Sequence, residues 1–247
     1  AVQAELDAAG ASGGAEVIVS IPGGAERARR TFNPLLGIEG GLSVLGTSGV
    51  VEPMSEQAIV DTIGVELRQA FCACPQGRLI LTPGNYGADF LAANGLDALG
   101  VPVVRCSNFI GEALDMAAAE GFSAVLLVGH VGKLVKLAGG IMNTHSRSAD
   151  CRTELFCAHA AAAGASTALC RALLDAPTTD ACIALLDTAG LRAAVLDSLT
   201  AAAQRHLERR AAGAYRVGVE LFSNEYGPLG ASPAALELIG QWRNDRQ

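Results

Sequence analysis

Short apolar runs alternate along the chain with segments in which apolar residues recur at helical spacing. The runs are LSVLG (42–46), GRLILT (77–82), VPVVRC (101–106), SAVLLVG (123–129) and YRVGVELFS (215–223). Continuous apolar runs of this length are typical of strands that are buried on both faces of a parallel sheet. Because helical segments separate the runs, we predict an α/β fold, with a Rossmann-like, mostly parallel sheet and helices on both of its faces.

Two parts of the chain depart from this alternation. Residues 1–30 contain a lone predicted strand, AEVIVSIPGG (15–24), and we interpret them as the remnant of an N-terminal domain with its linker. Residues 31–247 form the predicted Rossmann-like domain. Within it, the alanine-rich segment 152–211 is predicted to be helical, with a break at DAPTTD (175–180). The chain does not begin with Met, so we expect it to be a processed or excised piece.

Composition excludes several classes of protein. Hydrophobic residues make up 50% of the 247 residues and charged residues 17%, which is sufficient for a large core. The net charge of −7 provides no basic surface in bulk, so we expect no nucleic-acid partner. Residues 122–142 approach the length of a membrane span, but two central lysines would each cost about 2.5–3.5 kcal/mol, so we expect no membrane partner. The seven cysteines include no CxxC pair, which favours reduced thiols in a cytoplasmic protein.

Glycine and small polar residues follow the predicted strands. In open parallel sheets, ligands bind at the carboxyl ends of the strands, where glycine permits close approach and the next helix offers free N–H groups. These ends read GTSG (46–49), TPGNYG (82–87), CSNFIG (106–111), GHVGK (129–133) and FSNEYG (222–227). GHVGK lacks the spacing of a Walker phosphate loop, and no strand is followed by the dinucleotide pattern G-x-G-x-x-G. The pattern therefore predicts a small-molecule site without identifying its ligand.

Four blocks of sequence carry a resemblance to a known family. They are FNPLLGIEGGLSVLGTSGVVEPMSEQA (32–58), LTPGNYG (81–87), SNFIGEALDMA (107–117) and VLLVGHVGKLVKLAGGIMNTHSRSAD (125–150). Together they resemble the cobalt-precorrin-5B C(1)-methyltransferase family of anaerobic cobalamin biosynthesis. The chain is similar to that family without most of its N-terminal domain, because the threonine-, glycine- and alanine-rich motif near the start of that domain is missing.

The resemblance implies S-adenosylmethionine-dependent transfer of a methyl group to ring carbon 1 of a cobalt-containing tetrapyrrole. S-adenosylmethionine is then the expected cosubstrate, and no protein-bound metal is expected because the cobalt belongs to the substrate. One alternative is a non-catalytic or incomplete ligand-binding domain that needs the missing N-terminal region. Another is a nucleotide-cofactor oxidoreductase on the same kind of sheet. Homo-oligomerisation is left open.

The same resemblance implies roles for residues of the strand-end loops. Methyl-donor binding is expected for Gly46, Thr47, Ser48, Gly49, Gly84, Asn85, Tyr86 and Gly129. Binding of the tetrapyrrole and its carboxylates is expected for Lys133, Lys136, Asn143, Thr144, Ser146 and Arg147. His145 and His130 are the expected catalytic residues, since a histidine near neutrality can transfer a proton or position a carboxylate. The corresponding alternatives are ordinary βα turns, a solvated helix face, a polar C-cap loop and a core histidine.

The helix expected after the fourth run sets a geometric condition on this site. A straight helix over residues 133–142 would run about 15 Å and carry residues 143–146 to the sheet edge opposite His130. Both ends of the helix can therefore serve one substrate only if Gly139 and Gly140 bend the helix or end it early.

Overall fold

The computed structural model describes residues 2–10, 15–31, 38–43 and 56–246. The chain divides into two units, Ala1–Pro53 and Met54–Gln247. This division falls further along the chain than the boundary predicted after residue 30, and the assignment of domains stays a prediction.

The described part of the first unit contains two short helices and no strand. The helices are α1 (Val2–Ala8) and α2 (Gly24–Ala28). Residues 15–21 have no regular secondary structure, so the strand predicted over 15–24 is wrong. The side chains of Val17, Ile18 and Val19 are 59%, 81% and 78% exposed, and their β-branched character alone does not produce a strand without a partner to pair with.

Within the described residues, the second unit is built on a five-stranded sheet. Its strands are β1 (Arg78–Thr82), β2 (Val103–Arg105), β3 (Ala124–His130), β4 (Arg216–Ser223) and β5 (Gly227–Ala231). They lie in the order β2-β1-β3-β4-β5, with the first four parallel and β5 antiparallel to β4. The predicted α/β class and the mostly parallel sheet are confirmed.

Helices precede, connect and follow these strands. They are α3 (Glu56–Ala73), α4 (Tyr86–Ala93), α5 (Ile110–Glu120), α6 (Val131–Leu134), α7 (Arg152–Ala162), α8 (Thr167–Leu174), α9 (Thr179–Thr188), α10 (Arg192–Ala211) and α11 (Pro233–Asn244). Four of them, α7 to α10, occupy the segment 152–211 that we predicted to be helical. The break predicted at 175–180 coincides with the junction of α8 and α9.

A buried apolar cluster lies on each face of the sheet. Leu79 and Leu81 of β1 belong to the cluster that includes Leu67 of α3, whereas Ile80 belongs to the cluster that includes Leu91 of α4. Alternate residues of a strand point to opposite faces, so covering both faces requires every position to be apolar. This explains why the strands appear in the sequence as continuous apolar runs.

Two elements differ from what the sequence indicates. Helix α4 begins at Tyr86, inside the strand-end segment TPGNYG (82–87), and ends at Ala93. Strand β5 is absent from the predicted strands because glycine and proline are depleted in strands. It lies at the edge of the sheet, where the missing N–H of Pro228 is tolerated. The strand predicted over 42–46 falls largely outside the described residues.

The segment after β3 meets the geometric condition set by the sequence. Helix α6 covers only Val131–Leu134, a 3₁₀ helix continues over Val135–Gly139, and Gly140 ends it with a φ of 78°. The N–H of Ile141 then donates to the carbonyl oxygen of Lys136 at 3.1 Å, which closes the end of the helix. The helix expected over 133–142 is therefore shorter than predicted, and the condition that Gly139 and Gly140 end it early is met.

Candidate functional site

A polar cavity of about 510 Å³ lies at the carboxyl ends of the central strands. Strand order reverses between β1 and β3, because β2 lies beyond β1 and β4 lies beyond β3. Such a reversal opens a crevice in an α/β sheet, and ligands bind there. Seven of the residues predicted from the sequence line the cavity: Tyr86, His130, Lys133, Lys136, Thr144, His145 and Ser146.

The segment 143–146 reaches this cavity because the chain turns back immediately after the short 3₁₀ helix. Asn143 forms an isolated antiparallel bridge with Phe109, and the N–H of Thr144 donates to the carbonyl oxygen of Asn108 at 2.9 Å. These bonds attach the segment to the loop between β2 and α5. Thr144, His145 and Lys133 therefore lie on the same cavity, as one substrate would require.

Lys133 is the lysine whose charged end faces the cavity. Its ammonium group donates to Oδ1 of Asn108, which also accepts the Thr144 hydroxyl at 3.3 Å. Partial burial lowers the pKa of Lys133. A Cβ atom at Gly84, where φ is 88°, would lie 3.4 Å from Cε of Lys133, so the β1–α4 turn passes directly along this lysine. Asn108 itself has no assigned role in the sequence analysis.

Lys136 is placed differently from Lys133, although it lines the same cavity. Its side chain is almost fully buried, and its ammonium group donates to the carbonyl oxygens of Thr144 at 3.1 Å and Ala149 at 2.7 Å. Burial lowers the pKa of Lys136, and the Asp150 carboxylate at 3.9 Å acts in the opposite direction. The charge of Lys136 is therefore engaged by the chain itself, and it holds the segment 144–150 against the end of the 3₁₀ helix.

His130 caps the N-terminus of α6. Its Nδ1 accepts the N–H of Gly132 at 3.0 Å, so the neutral ring carries its proton on Nε2. Burial lowers the pKa of His130, and the nearby Asp180 carboxylate partly opposes that effect. The ring is thus a neutral hydrogen-bond donor at the cavity wall.

His145 adopts a similar arrangement in the turn that follows. Its Nδ1 accepts the backbone N–H of Arg147 at 3.1 Å, and the backbone N–H of His145 donates to Oδ1 of Asn143 at 3.0 Å. In the neutral ring the proton is again on Nε2, which makes that nitrogen a donor. Asn143 and Arg147 shape this turn and lie outside the cavity lining, in contrast to Thr144 and Ser146.

The junction of α8 and α9 supplies cavity residues that the sequence analysis did not identify. Thr179 is 6% exposed, and Asp180 accepts the Ser223 hydroxyl at 2.7 Å. The Ser223 hydroxyl in turn accepts the N–H groups of Glu225 and Tyr226, so the junction is fixed to the carboxyl end of β4. The only local signal for these residues was a polar break between two helices, which does not reveal what the break faces.

The remaining predicted residues have other surroundings. A Cβ atom at Gly129 would lie 2.9 Å from Cγ of Pro83, so this glycine allows the β1–α4 turn to pack on the end of β3. Asn85 precedes α4 and makes no side-chain capping bond. Gly46, Thr47, Ser48 and Gly49 lie outside the described residues.

The described residues contain no group of three or more histidine, cysteine, aspartate or glutamate side chains placed to hold a metal ion. Their helices are all too short or too polar to cross a membrane.

A mostly parallel sheet with a cation-bearing cavity at its strand ends defines an α/β protein with a candidate small-molecule site. Residues 1–53 match the family model described as CbiD, and residues 143–233 match the model described as CbiD, C-terminal domain. The chain belongs to the CbiD family. No solved structure matches it.

Three curated relatives carry the name cobalt-precorrin-5B C(1)-methyltransferase. The protein of Ruminiclostridium cellulolyticum is 45% identical over 87% of this chain and 56% of its own length. That of Alkaliphilus metalliredigens is 39% identical over 92% of this chain and 59% of its own length. That of Moorella thermoacetica is 41% identical over 94% of this chain and 63% of its own length. The chain therefore spans less than two thirds of the length of these relatives.

Proposed function

We propose that this chain binds a methyl donor and a cobalt-containing tetrapyrrole, and that it transfers the methyl group to ring carbon 1 of cobalt-precorrin-5B. The observation that carries the proposal is the single cavity that Lys133, His145 and Arg152 line together with Tyr86. A tetrapyrrole with several carboxylates requires cations and hydrogen-bond donors at its binding site. The names of the curated relatives support the same reaction.

Such a transfer does not require the protein to form a covalent bond with either reactant. The methyl carbon leaves the sulfonium, the sulfur keeps the electron pair of the broken bond, and the ring carbon supplies the pair for the new bond. The methylated ring system then releases one proton to solvent, so that methyl replaces hydrogen overall. The protein must hold the two reactants in line and exclude water. S-adenosylmethionine is the proposed donor, with the loops at 46–49 and 84–86 and with Gly129 as its proposed binding elements.

The hydrogen bonds of the two histidines indicate how they would act. Because Nδ1 of His145 and Nδ1 of His130 each accept a backbone N–H, each neutral ring presents an Nε2 donor. We therefore assign them to orienting substrate carboxylates in preference to abstracting a proton. Lys133, Thr144 and Ser146 would bind the substrate beside them. We do not extend direct substrate contact to Lys136, Asn143 and Arg147, because Lys136 is engaged internally and the other two residues lie outside the cavity lining.

The sheet also supports a finer proposal about fold type. The order β2-β1-β3-β4 has the reversal expected of a doubly wound, Rossmann-like sheet, and apolar clusters cover both faces. The cavity lies at that reversal, beside residues that follow β1 and β3. We propose this fold type because it places the methyl donor at the same edge as in other α/β proteins of that type.

One experiment tests the function against its alternatives. Calorimetry measures binding of S-adenosylhomocysteine and of NAD(P) to this chain. Mass spectrometry then follows cobalt-precorrin-5B after incubation with S-adenosylmethionine and either this chain or a longer family member. We expect binding of S-adenosylhomocysteine and a mass gain of one methyl group in place of hydrogen. Binding of the nicotinamide cofactor alone would overturn the proposal. Methylation by the longer protein alone would indicate a ligand-binding portion that needs a further region.

A further inference from the structure

A second, apolar cleft of about 240 Å³ adjoins the polar cavity, between α4 and the turn joining β4 to β5. Phe90 and Phe222 contribute to it as a stacked pair, with ring centroids 4.2 Å apart and planes 8° from parallel. Pro228 and Tyr86 line it from opposite sides, since they belong to the β4–β5 region and to α4. Tyr86 is 59% exposed and lines the polar cavity as well, so the two spaces meet at this side chain.

A row of rings joins the cleft to the cavity. The His130 ring lies edge-on to Phe222 at 5.7 Å, and Tyr86 lies 6.4 Å from His130. Phe90 and Phe222 are only 8% and 1% exposed, so a planar heteroaromatic group seated in the cleft would make its main aromatic contact with Tyr86, in an offset stacked or edge-to-face arrangement. A ligand extending from the cleft would then pass Tyr86 and His130 before reaching Lys133.

The cavity and the cleft differ in the charge of the residues that line them. The polar cavity is lined by three basic residues, Lys133, Lys136 and Arg152, and one carboxylate, Asp180, whereas the cleft lining contains no basic residue and includes the carboxylate of Asp89. Asp89 is exposed and has no ion pair among the described residues. A tetrapyrrole with several carboxylates is repelled by such a lining, whereas a neutral nucleoside with donor hydroxyls is accepted by it.

The polar groups of the cleft match a nucleoside. Asn94 donates from Nδ2 to the carbonyl oxygen of Phe90 at 2.8 Å, which leaves its Oδ1 as an acceptor. Asp89, in the first turn of α4, provides a second acceptor, and acidic residues commonly bind ribose hydroxyls in α/β nucleotide sites. Two acceptors beside an aromatic floor suit the amino group of adenine and the hydroxyls of ribose.

We propose that this cleft, lined by Phe90, Phe222, Pro228, Asp89 and Asn94, is the adenosine subsite of the methyl donor, with Tyr86 at its junction with the polar cavity. This inference rests on the proposed function, because it assumes that the donor is S-adenosylmethionine. It assigns the donor's sulfonium to the junction, beside Tyr86 and His130, where an aromatic face stabilises a cation. The polar cavity is left to the amino-acid end of the donor and to the tetrapyrrole.

Two neighbouring alanines of α4 provide a matched test. Ala93 lines the cleft, whereas the adjacent Ala92 is exposed on the same helix and does not line it. Ala93→Trp should fill the cleft and raise the Kd of S-adenosylhomocysteine and of adenosine by about tenfold or more. Ala92→Trp should leave both values within about twofold of wild type. Binding of the tetrapyrrole should be unchanged in both variants.

The outcomes separate this inference from the function on which it rests. If the unaltered chain binds S-adenosylhomocysteine and Ala93→Trp binds it equally well, the adenosine subsite is wrong and the function stands. If the unaltered chain does not bind S-adenosylhomocysteine at all, the proposed function itself fails, and this inference fails with it.

A second variant covers the case in which Ala93→Trp does not fold. Tyr86→Trp keeps an aromatic ring at the junction and adds a fluorophore to a chain whose single tryptophan, Trp242, is 1% exposed. Saturating adenosine should quench its emission, since a base stacks on the indole, and methionine should not. Quenching by methionine without quenching by adenosine would reverse the proposed orientation of the donor and overturn the assignment.

Discussion

The ammonium nitrogen of Lys136 lies 2.7 Å from the carbonyl oxygen of Ala149, and this hydrogen bond ties the 3₁₀ helix to the loop that follows it. Lys133, three residues earlier, instead directs its ammonium group to Asn108 at the cavity wall. Two lysines that look equivalent in the sequence are therefore placed differently, and we propose separate roles for them, one in stability and one in ligand binding.

Replacement of the buried lysine should destabilise the fold. Lys136→Met keeps the length of the side chain but leaves two carbonyl oxygens without their donor, so we expect the free energy of unfolding to fall by about 1–3 kcal/mol. Lys133→Met, at a partly exposed position, should cost less than about 1 kcal/mol. Urea denaturation of both variants measures the difference, and equal losses would contradict the separation of roles.

Replacement of the cavity lysine should weaken tetrapyrrole binding. Lys133→Gln removes the cation that Asn108 orients, so the Kd for the carboxylated tetrapyrrole should rise about tenfold and depend less on salt concentration. Arg147→Gln is the matched control, because it removes one exposed cation from outside the cavity lining. Absorbance titration should show a change within about twofold for that control. A larger effect at Arg147 than at Lys133 would shift the substrate site toward the turn.

The free energy of unfolding should depend on pH because burial lowers the pKa of His130. Its pKa in the folded chain lies below the ordinary value of 6.5, so the unfolded chain takes up a proton first as the pH falls. The stabilisation is therefore complete above about pH 7 and is lost as the pH falls through 6.5 toward the lower folded-state value. His130→Asn retains a capping side chain without the titration. The wild type should lose more unfolding free energy than this variant between about pH 7.5 and pH 5.5, and parallel pH profiles would refute the expectation.

The carboxylate of Asp180 should raise the pKa of His130. Its negative charge acts to raise the pKa of His130 against the effect of burial, so Asp180→Asn should lower that pKa further while keeping an acceptor for Ser223. Imidazole resonances followed by NMR across a pH series measure the shift. His159 serves as an internal control, because burial and then Arg205 lower its pKa and Asp180 is not among the causes. An unchanged His130 titration would mean that the two groups do not interact in solution.

The glycine in the first turn of α4 should tolerate no side chain. A Cβ atom at Gly87 would lie 1.7 Å from Oγ1 and 2.7 Å from Cβ of Thr82, which is fully buried. We expect Gly87→Ala to cost at least about 1–3 kcal/mol, measured as a lower Tm. Gly240→Ala is the control, since nothing lies within 4 Å of a Cβ atom there and alanine favours a helix by about 0.5–1 kcal/mol. An equal Tm for both variants would contradict the close packing of α4 on β1.

The sequence predicted those features that depend on neighbouring residues, and it missed those that depend on contacts between distant segments. The strand at 123–129 was predictable because burial on both faces of the sheet produces a continuous run of apolar residues. An end of the next helix at Gly139 and Gly140 could be stated as a condition on the site, because glycine at a helix end is also a local signal. From the sequence, Lys133, Thr144 and His145 could be expected at one cavity only if the helix ended at these glycines.

Other parts of the site depended on pairings that no local pattern contains. Asn108 reaches Lys133 because β2 lies beside β1, and Asp180 reaches Ser223 because the α8–α9 junction returns to the end of β4. The apolar cleft exists because β5 pairs with β4 and brings Pro228 near α4. Each of these contacts joins residues that are far apart in the chain, where spacing carries no information.

By itself, the amino-acid sequence determined the alternation of strands and helices, the edge of the sheet at which we expect ligands to bind, and a family resemblance carried by four blocks. These properties are local, since they depend on hydrophobic periodicity and on glycine positions within a few residues. Only the tertiary structure decided which of two lysines is buried, which residues share the cavity, and that an apolar cleft adjoins it. Burial and hydrogen bonding between distant segments settle those matters, because the energy of each contact exists only after the chain has folded.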